Sequence, residues 1–428
     1  MVVTTTSSST NNNVLIIGGG LAGLALANVL KYQGVPYKVF ERDASPDNRS
    51  QGFSLSMHFC LEALKSSMDP VKYATLGEKS AVDRDYPNRA DACLVDGNTG
   101  ERLFMFPSES SSHDVFRVNR ERFRNWLLED IDVEWNKRID HYTIITHNGG
   151  RKVKVTFTDG TVEYGSVLVG ADGVNSQVYR QLIGSEAYDQ STSVNPVKIL
   201  NGSYWIDSTF RREIENTLSY SHMMGSACAN EDASHSICLF VSLLDHDPAR
   251  KEQEDKPYEM LWSISSVDQE EPNYETDHEK LKQAKDWIHQ SGFKGLLRRL
   301  VLETPEDTKV TALQVVERSP HPKMDTLRGD PVVLIGDSIH KMSQFRGIAG
   351  NHAILDACLL GMELTRVYKG DTSLDQAIDT YYKEMLPRGR NAVEESHQAV
   401  EIMHASRAQI NGFIYAMANK ATDKQEKN

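Results

Sequence analysis

Three carboxylates follow closely on short apolar runs, two of which end in or near glycine, and their placement points to ligand binding. Glu41 closes VPYKVF, Asp172 lies in SVLVGADG and Asp337 in PVVLIGD. An acid at the carboxyl end of a strand faces the crevice in which open α/β sheets hold ligands. Ahead of the first stands VLIIGGGLAG, where Gly18, Gly20 and Gly23 are spaced G-x-G-x-x-G. Glycine has no Cβ, so the backbone can turn tightly and approach a pyrophosphate, while N–H groups at a helix start face its charge. Glu41 follows Gly23 by 18 residues, near the ~20 at which a carboxylate receives ribose hydroxyls. The stretch reads as a dinucleotide site, and by itself it leaves NAD, NADP and FAD open.

Side chains that would do chemistry unaided do not stand out. No Ser-His-Asp set or carboxylate pair is evident, and Cys60, Cys93, Cys228, Cys238 and Cys358 are scattered without C-x-x-C spacing. That pattern suits reduced, mostly core thiols and no metal site. Asp plus Glu total 60 against 47 Lys plus Arg, a formal charge of −13, so no nucleic-acid surface is expected. No apolar run approaches the ~18 residues of a membrane span. The opening MVVTTTSSSTNNN lacks the basic and apolar regions of a signal peptide. The expectation is a cytoplasmic protein with a disordered leader and a frayed KATDKQEKN tail, a monomer or homodimer acting on a small molecule.

Those acids need strands behind them and helices after them. The pattern predicts a strand over Val14–Ile17, a helix over Leu21–Tyr32 and a strand over Tyr37–Phe40. A second turn runs from Val167–Val169 through Gly170, Asp172 and Gly173 to a helix cap at Asn175 or Ser176. A third runs from Val332–Ile335 through Gly336 to a helix opened by Asn351, with apolar residues at Ile354, Leu355, Cys358, Leu359 and Met362. Between about Ser191 and Glu306, period-2 runs such as Ser236–Leu244 and Tyr258–Ser266 read as strands of a second sheet. Ser263–Lys280 reads as a surface loop entering a helix. Tyr204, Trp205, Tyr220, His222 and Met223 either line a flat hydrophobic pocket there or simply pack the sheet. His340 and His352 are expected to be structural hydrogen-bonders.

Together the three segments resemble the flavin-dependent monooxygenases of the aromatic hydroxylase type, or group A, whose Rossmann glycines, DG motif and GD motif occur in this order. The likeness runs from Val14 to about Met403, and SLDQAIDTYYKEMLPRGRNAVEESHQAVEIMH resembles the family's C-terminal helices. It implies an α/β fold with a Rossmann-like FAD-binding domain, three-layered on a mostly parallel sheet, over residues 12–84, 108–186 and 307–372. A substrate domain on a mixed β-sheet would take 85–107 and 187–306, and C-terminal helices 373–418. By the same resemblance, Gly18, Gly20 and Gly23 would hold the FAD pyrophosphate, and Glu41, with Arg42 beside it, the adenosine ribose. Arg120 would reach the flavin's phosphate or ribityl side, Asp172 the pyrophosphate region and the NADPH approach, and Asp337 the ribityl hydroxyls. Gly347, Gly350 and Asn351 would run under the isoalloxazine ring, where a helix start offers positive charge to reduced flavin. Gln344, Arg346 and His222 are the candidates near the flavin, and Tyr204, Tyr220, His222 and Met223 those for the substrate pocket.

The chain departs from the family's pattern in places. Ser343-Gln344 stand where proline is usual and Ile348-Ala349 where an acidic or amide residue and glycine are usual. An alanine at 349 requires a negative φ there or accepted strain. Tyr179 stands where arginine is frequent, and VKILNGSYWID lacks the arginine that many phenol-hydroxylating relatives carry. The resemblance implies an FAD-dependent, NAD(P)H-consuming monooxygenase that hydroxylates or epoxidises a hydrophobic aromatic or polyunsaturated specialised metabolite. Hydride would pass from NADPH or NADH to the flavin, O2 would add at C4a, and the C4a-hydroperoxide would deliver the oxygen. The alternative is an FAD-binding but redox-silent cyclase or isomerase, which Gln344 and Ala349 favour. Intact Glu41, Asp172 and Asp337 argue against a flavin-free binding protein, and the lack of W-x-W-x-x-P against a halogenase.

Overall fold

The computed structural model describes residues 13–48, 52–106, 115–147, 150–267, 274–327 and 329–413. Most of the leader, the KATDKQEKN tail, residues 268–273 of the polar stretch and the segment around the expected boundary at 107 and 108 lie outside the described residues. Five short strands form a parallel sheet in the order Val332–Leu334, Val167–Gly170, Val14–Ile17, Tyr37–Phe40 and Val133–Glu134. The strands Val14–Ile17 and Val167–Gly170 are buried throughout, as parallel strands covered by other layers are. One layer is helical: Leu21–Gln33, buried from Leu21 to Leu30, packs against Ala349–Lys369. Gly361 permits that contact, since a Cβ there would lie 2.6 Å from a Val29 methyl. A three-stranded antiparallel sheet, Ile139–His147, Gly150–Phe157 and Val162–Gly165, makes the other layer, with the Phe157 ring tilted against Phe40 at 4.8 Å between centres.

Seven strands form the second sheet, in the order Thr311–Arg318, Thr192–Ile206, Tyr258–Val267, Ile237–His246, His222–Ala227, Ala92–Asp96 and Arg102–Phe106. All neighbours are antiparallel except His222–Ala227 with Ala92–Asp96, so the sheet is mixed. Its edge strand Thr311–Arg318 falls beyond residue 306, where the boundary expected from sequence ended this domain. Strand pairing is non-local, and nothing within TALQVVER announces which sheet it joins.

Residues directly opposite in a sheet share a face, and neighbours along a strand alternate. Leu200, Trp262, Ile264, Leu239, Val241, Met223 and Met260 make the face covered by the helices Ser208–Thr217, Asp277–Ser291 and Gly295–Leu302. The opposite face carries a row in register, Asn201, Ser263, Phe240, Met224 and Leu94, and a second row, Leu261, Ser242, His222 and Ala92.

The C-terminal region opens with a helix of 30 residues, Leu374–Met403, and residues 407–413 are helical again. The long helix is about 45 Å long at 1.5 Å per residue and touches both halves. Tyr381 donates to the Leu334 carbonyl (3.0 Å) in the parallel sheet, and just past its end His404 bonds Ser265 (2.9 Å) in the mixed one. No described helix is long and apolar enough to cross a membrane.

Candidate active site

The glycine loop has a different reason at each position. Gly18 has φ +120, and a Cβ would lie 2.2 Å from the Ala171 carbonyl oxygen; one on Gly23 would lie 2.0 Å from the Gly18 oxygen. Both glycines therefore exist for backbone packing between the first strand, its helix and the Asp172 turn. Gly20 has nothing within 4 Å of such a Cβ and starts the helix with no side-chain cap. Its N-terminal N–H groups thus meet open space, which fits a pyrophosphate. Glu41 is buried directly under this loop, with Oε2 accepting from the Gly19 N–H (2.7 Å) and Oε1 from the Asp43 N–H (3.0 Å). It secures the loop and keeps lone pairs for a ribose, and Arg42 stands half-buried beside it.

Asp172 sits at the next strand end, and its carboxylate is largely engaged. Oδ1 accepts from Ser176 (2.6 Å), and Oδ2 from the backbone N–H groups of Gln177 (2.8 Å) and Val178 (3.2 Å). Ser176 caps the helix Gln177–Ile183, choosing between the two expected caps. Burial raises the Asp172 carboxyl above its ordinary range, and these three donors pull against the rise. Asp337 lies in the turn Gly336–Ser338; burial raises it too, opposed by His340, Lys341, Arg120 and Arg318. Arg120, the first residue of the helix Arg120–Leu128, is among the charges that act on Asp337.

Arg318 was not singled out from sequence. It is 2% exposed, donates to the Val174 carbonyl (2.7 Å) and Thr192 (3.0 Å), and its charge acts with those of Asp172 and Asp337. Arriving on the edge strand of the mixed sheet, it clamps the two aspartate loops. No local feature of VVERSP could have announced this.

The Ala349 helix corrects the expected opening at Asn351. It begins at Ala349 with Ile348 as its uncapped N-cap, so Asn351 lies inside the first turn. The Asn351 side chain instead grips the strand Ser54–Met57 and its exit, accepting from the His58 N–H (2.8 Å) and donating to the Ser56 carbonyl (2.7 Å). Ala349 is helical with negative φ, and the positive φ falls on Gly347 at +64. The departure at 349 therefore costs no strain. Gly350 faces Leu55, at 3.3 Å from a built Cβ. Behind the loop, fully buried His340 bonds Asp356 (2.6 Å), which also receives the Gly336 N–H (2.8 Å) and Arg388 (2.8 Å). His340 and His352 are structural hydrogen-bonders, the latter receiving Arg388 (2.8 Å).

Of the three candidates near a flavin, Gln344 reaches the mixed sheet, its amide donating to Ser263 (3.2 Å). Arg346 pairs with Glu395 of the long helix at the surface and does not turn to the sheet. His222 lies on the same sheet face as Ser263, half-buried, and burial followed by the Arg117 charge holds it well below an ordinary histidine, hence neutral. The other pocket candidates are corrected: Met223, Tyr204 and Tyr220 belong to the helix-covered side. Met223 is fully buried there, Tyr204 pairs with Met260, and Tyr220 donates to Asp83. Alternation along HMMGSA was readable, but its phase was not, because both faces are covered. Asp83, Asp85 and His246 gather within 4.8 Å on that side, with Asp83 already taken by Tyr220 and His246.

A family model described as FAD binding domain matches residues 11–396. The FAD-dependent monooxygenase dbaB of Emericella nidulans is 30% identical over 353 residues, covering 81% of this chain and 84% of that protein. The FAD-dependent monooxygenase thnD of Trichoderma harzianum is 30% identical over 398 residues, covering 89% and 91%. HpxO of Klebsiella pneumoniae, solved with FAD and uric acid, shares the fold, with a TM-score of 0.70 at 17% identity over 95% of this chain and 92% of that one. The chain therefore belongs to the FAD-dependent monooxygenases, and FAD is its cofactor.

Proposed function

We propose that this protein is an NAD(P)H-consuming monooxygenase that places one oxygen atom on a hydrophobic aromatic or polyunsaturated metabolite. The observation that carries the reading is the sheet face joined by Gln344: Phe240, Met224 and Leu94 make an apolar, partly aromatic middle between the polar Asn201–Ser263 pair and His222. Such a surface suits a flat hydrophobic molecule oriented by a few polar groups. FAD, when bound, supplies electron transfer and oxygen activation. The protein's part is positional. The uncapped start at Ala349 offers N–H groups and about half a positive charge to developing negative charge. Gln344 draws its loop onto the sheet, which excludes water. His222 on this face is held neutral, with one ring nitrogen as donor and the other as acceptor.

The redox-silent alternative rested on Gln344 and Ala349, and a strain-free Ala349 removes one of these supports. The deciding measurement is anaerobic addition of NADPH, then NADH, to the purified flavoprotein, followed as loss of flavin absorbance near ~450 nm, before O2 is admitted. Bleaching with reoxidation is expected, faster with an aromatic additive that fits. A bound flavin that neither nucleotide reduces would overturn the oxygenase reading and leave the cyclase.

A further inference from the structure

The Gln344 face of the mixed sheet runs out under the chain's C-terminal turn. Along the row in register with Ser263, Phe240 and Met224 are half-buried, while Leu94 at its end is only 7% exposed. The cover comes from far along the sequence. Beyond the long helix the chain crosses the next row of the same face and is fastened there three times. His404 bonds Ser265 (2.9 Å), the Met403 carbonyl accepts from Ser226 (2.9 Å), and Arg407 pairs with Asp96 (3.2 Å). Ser265, Ser226 and Asp96 each stand two positions from Ser263, Met224 and Leu94, hence on the same side of the sheet. The short helix over 407–413 follows. Its Ile410, 8% exposed, and Phe413 face Leu94 and Met224 across a cavity of about 10 Å³ that Met403 also lines, room for about one water. On the other border of the face Ser54 touches Ser242 (3.0 Å), so Phe240, Met224 and His222 form its open middle.

We infer that Ile410 and Phe413 form the end wall of the substrate site and set how large a molecule it takes. This deepens the oxygenase reading and rests on its placement of the substrate on this face. From Ser263, where Gln344 docks, to Leu94 is three strand spacings, about 14 Å in all. The wall stands over the last of them. The length left open, two spacings or about 10 Å, suits a two-ring molecule and stops a four-ring one. Both wall side chains are apolar, so they act by shape: they exclude water from that end and reject what reaches past Met224. The root of the wall is tied to the loop that carries Gln344, because the His404 ring meets Phe345 edge-on at 5.1 Å between centres. That contact holds the distance between the two ends of the site.

The test uses the FAD-loaded protein and two probes, 2-naphthol with two fused rings and 1-hydroxypyrene with four. Binding is read both from probe fluorescence and from perturbation of the flavin spectrum. The parent is compared with Phe413→Ala and with the double variant Ile410→Ala, Phe413→Ala. The parent should favour 2-naphthol. The double variant should shift the affinity ratio toward 1-hydroxypyrene by about tenfold or more, and Phe413→Ala by a smaller factor in the same direction. Phe413 is partly exposed, so its single variant decides if the double one does not retain FAD. The same ratio in all three proteins, or no binding of either probe to the double variant, would overturn the inference. Probes that bind without perturbing the flavin would instead sink the placement of substrate on this face. No turnover is involved, so a flavin that NADPH cannot reduce would sink the oxygenase reading without altering the ratio.

Discussion

Asn351 holds the backbone of a distant strand while sitting one turn into its own helix. Asparagine before an apolar helical run is a favoured cap, and the sequence supports that role for it. In the fold its amide finds the Ser56 carbonyl and its oxygen the His58 N–H, nearly three hundred positions away in the chain, and these partners outbid the local one. Asn351→Ala should therefore cost about 2 kcal/mol, the price of orphaning two half-buried backbone groups, measured by urea unfolding. A loss below about 0.5 kcal/mol would mean that only helix propensity had changed. Asp172 shows the complementary case. Its position at a strand end was legible from VLVGADG, but that three donors of the following helix occupy its carboxylate depends on how the turn closes.

At the scale of an element, the glycine loop separates folding from binding. Gly18→Ala and Gly23→Ala each push a Cβ into backbone oxygen, which cannot move aside as a side-chain tip would. Both should lower the melting temperature and yield flavin-free protein. Gly20→Ala meets no atom and has an ordinary extended φ of −84, so it should melt within a few degrees of the parent yet hold FAD at least about tenfold more weakly. Absorbance spectra beside thermal melts check all three. A Gly20→Ala protein with undiminished FAD affinity would show that its open space is not where the pyrophosphate lies. This element was almost wholly legible, because strand, loop and helix are contiguous and their spacing is local. The mixed sheet was legible only in kind. Period 2 identifies strands, but a one-residue error in phase exchanges His222 for Met223, and only packing says which face the helices cover.

Across the whole molecule, the helix Leu374–Met403 straps the parallel sheet, the His340–Asp356 pair and the mixed sheet together. His352 beside Arg388 and His404 beyond the helix end are both pushed down to about 4, by burial first. A histidine depressed in the folded state is protonated only in the unfolded chain between about pH 6.5 and 4, so stability falls on acidification through that window, by at most about 1.4 kcal/mol per pH unit for each. His340 is raised despite burial because Asp356 faces it, so its contribution is present below pH 6.5 and is lost as pH rises through its elevated folded value. Melting temperature against pH should therefore decline on both sides of near-neutral pH. His404→Gln should flatten the acid limb while lowering the plateau, and an unchanged acid slope would refute the assignment. The sequence by itself determined the dinucleotide loop, the three strand-end acids and the family, because each is written in contiguous residues whose spacing is the geometry. Only the tertiary structure decided which side of the mixed sheet meets Gln344, that Arg318 joins the two aspartate loops and that Arg117 lies buried against Ser54 and Ser56. These depend on pairings between residues far apart in the chain, where register and burial, not local pattern, set the partners.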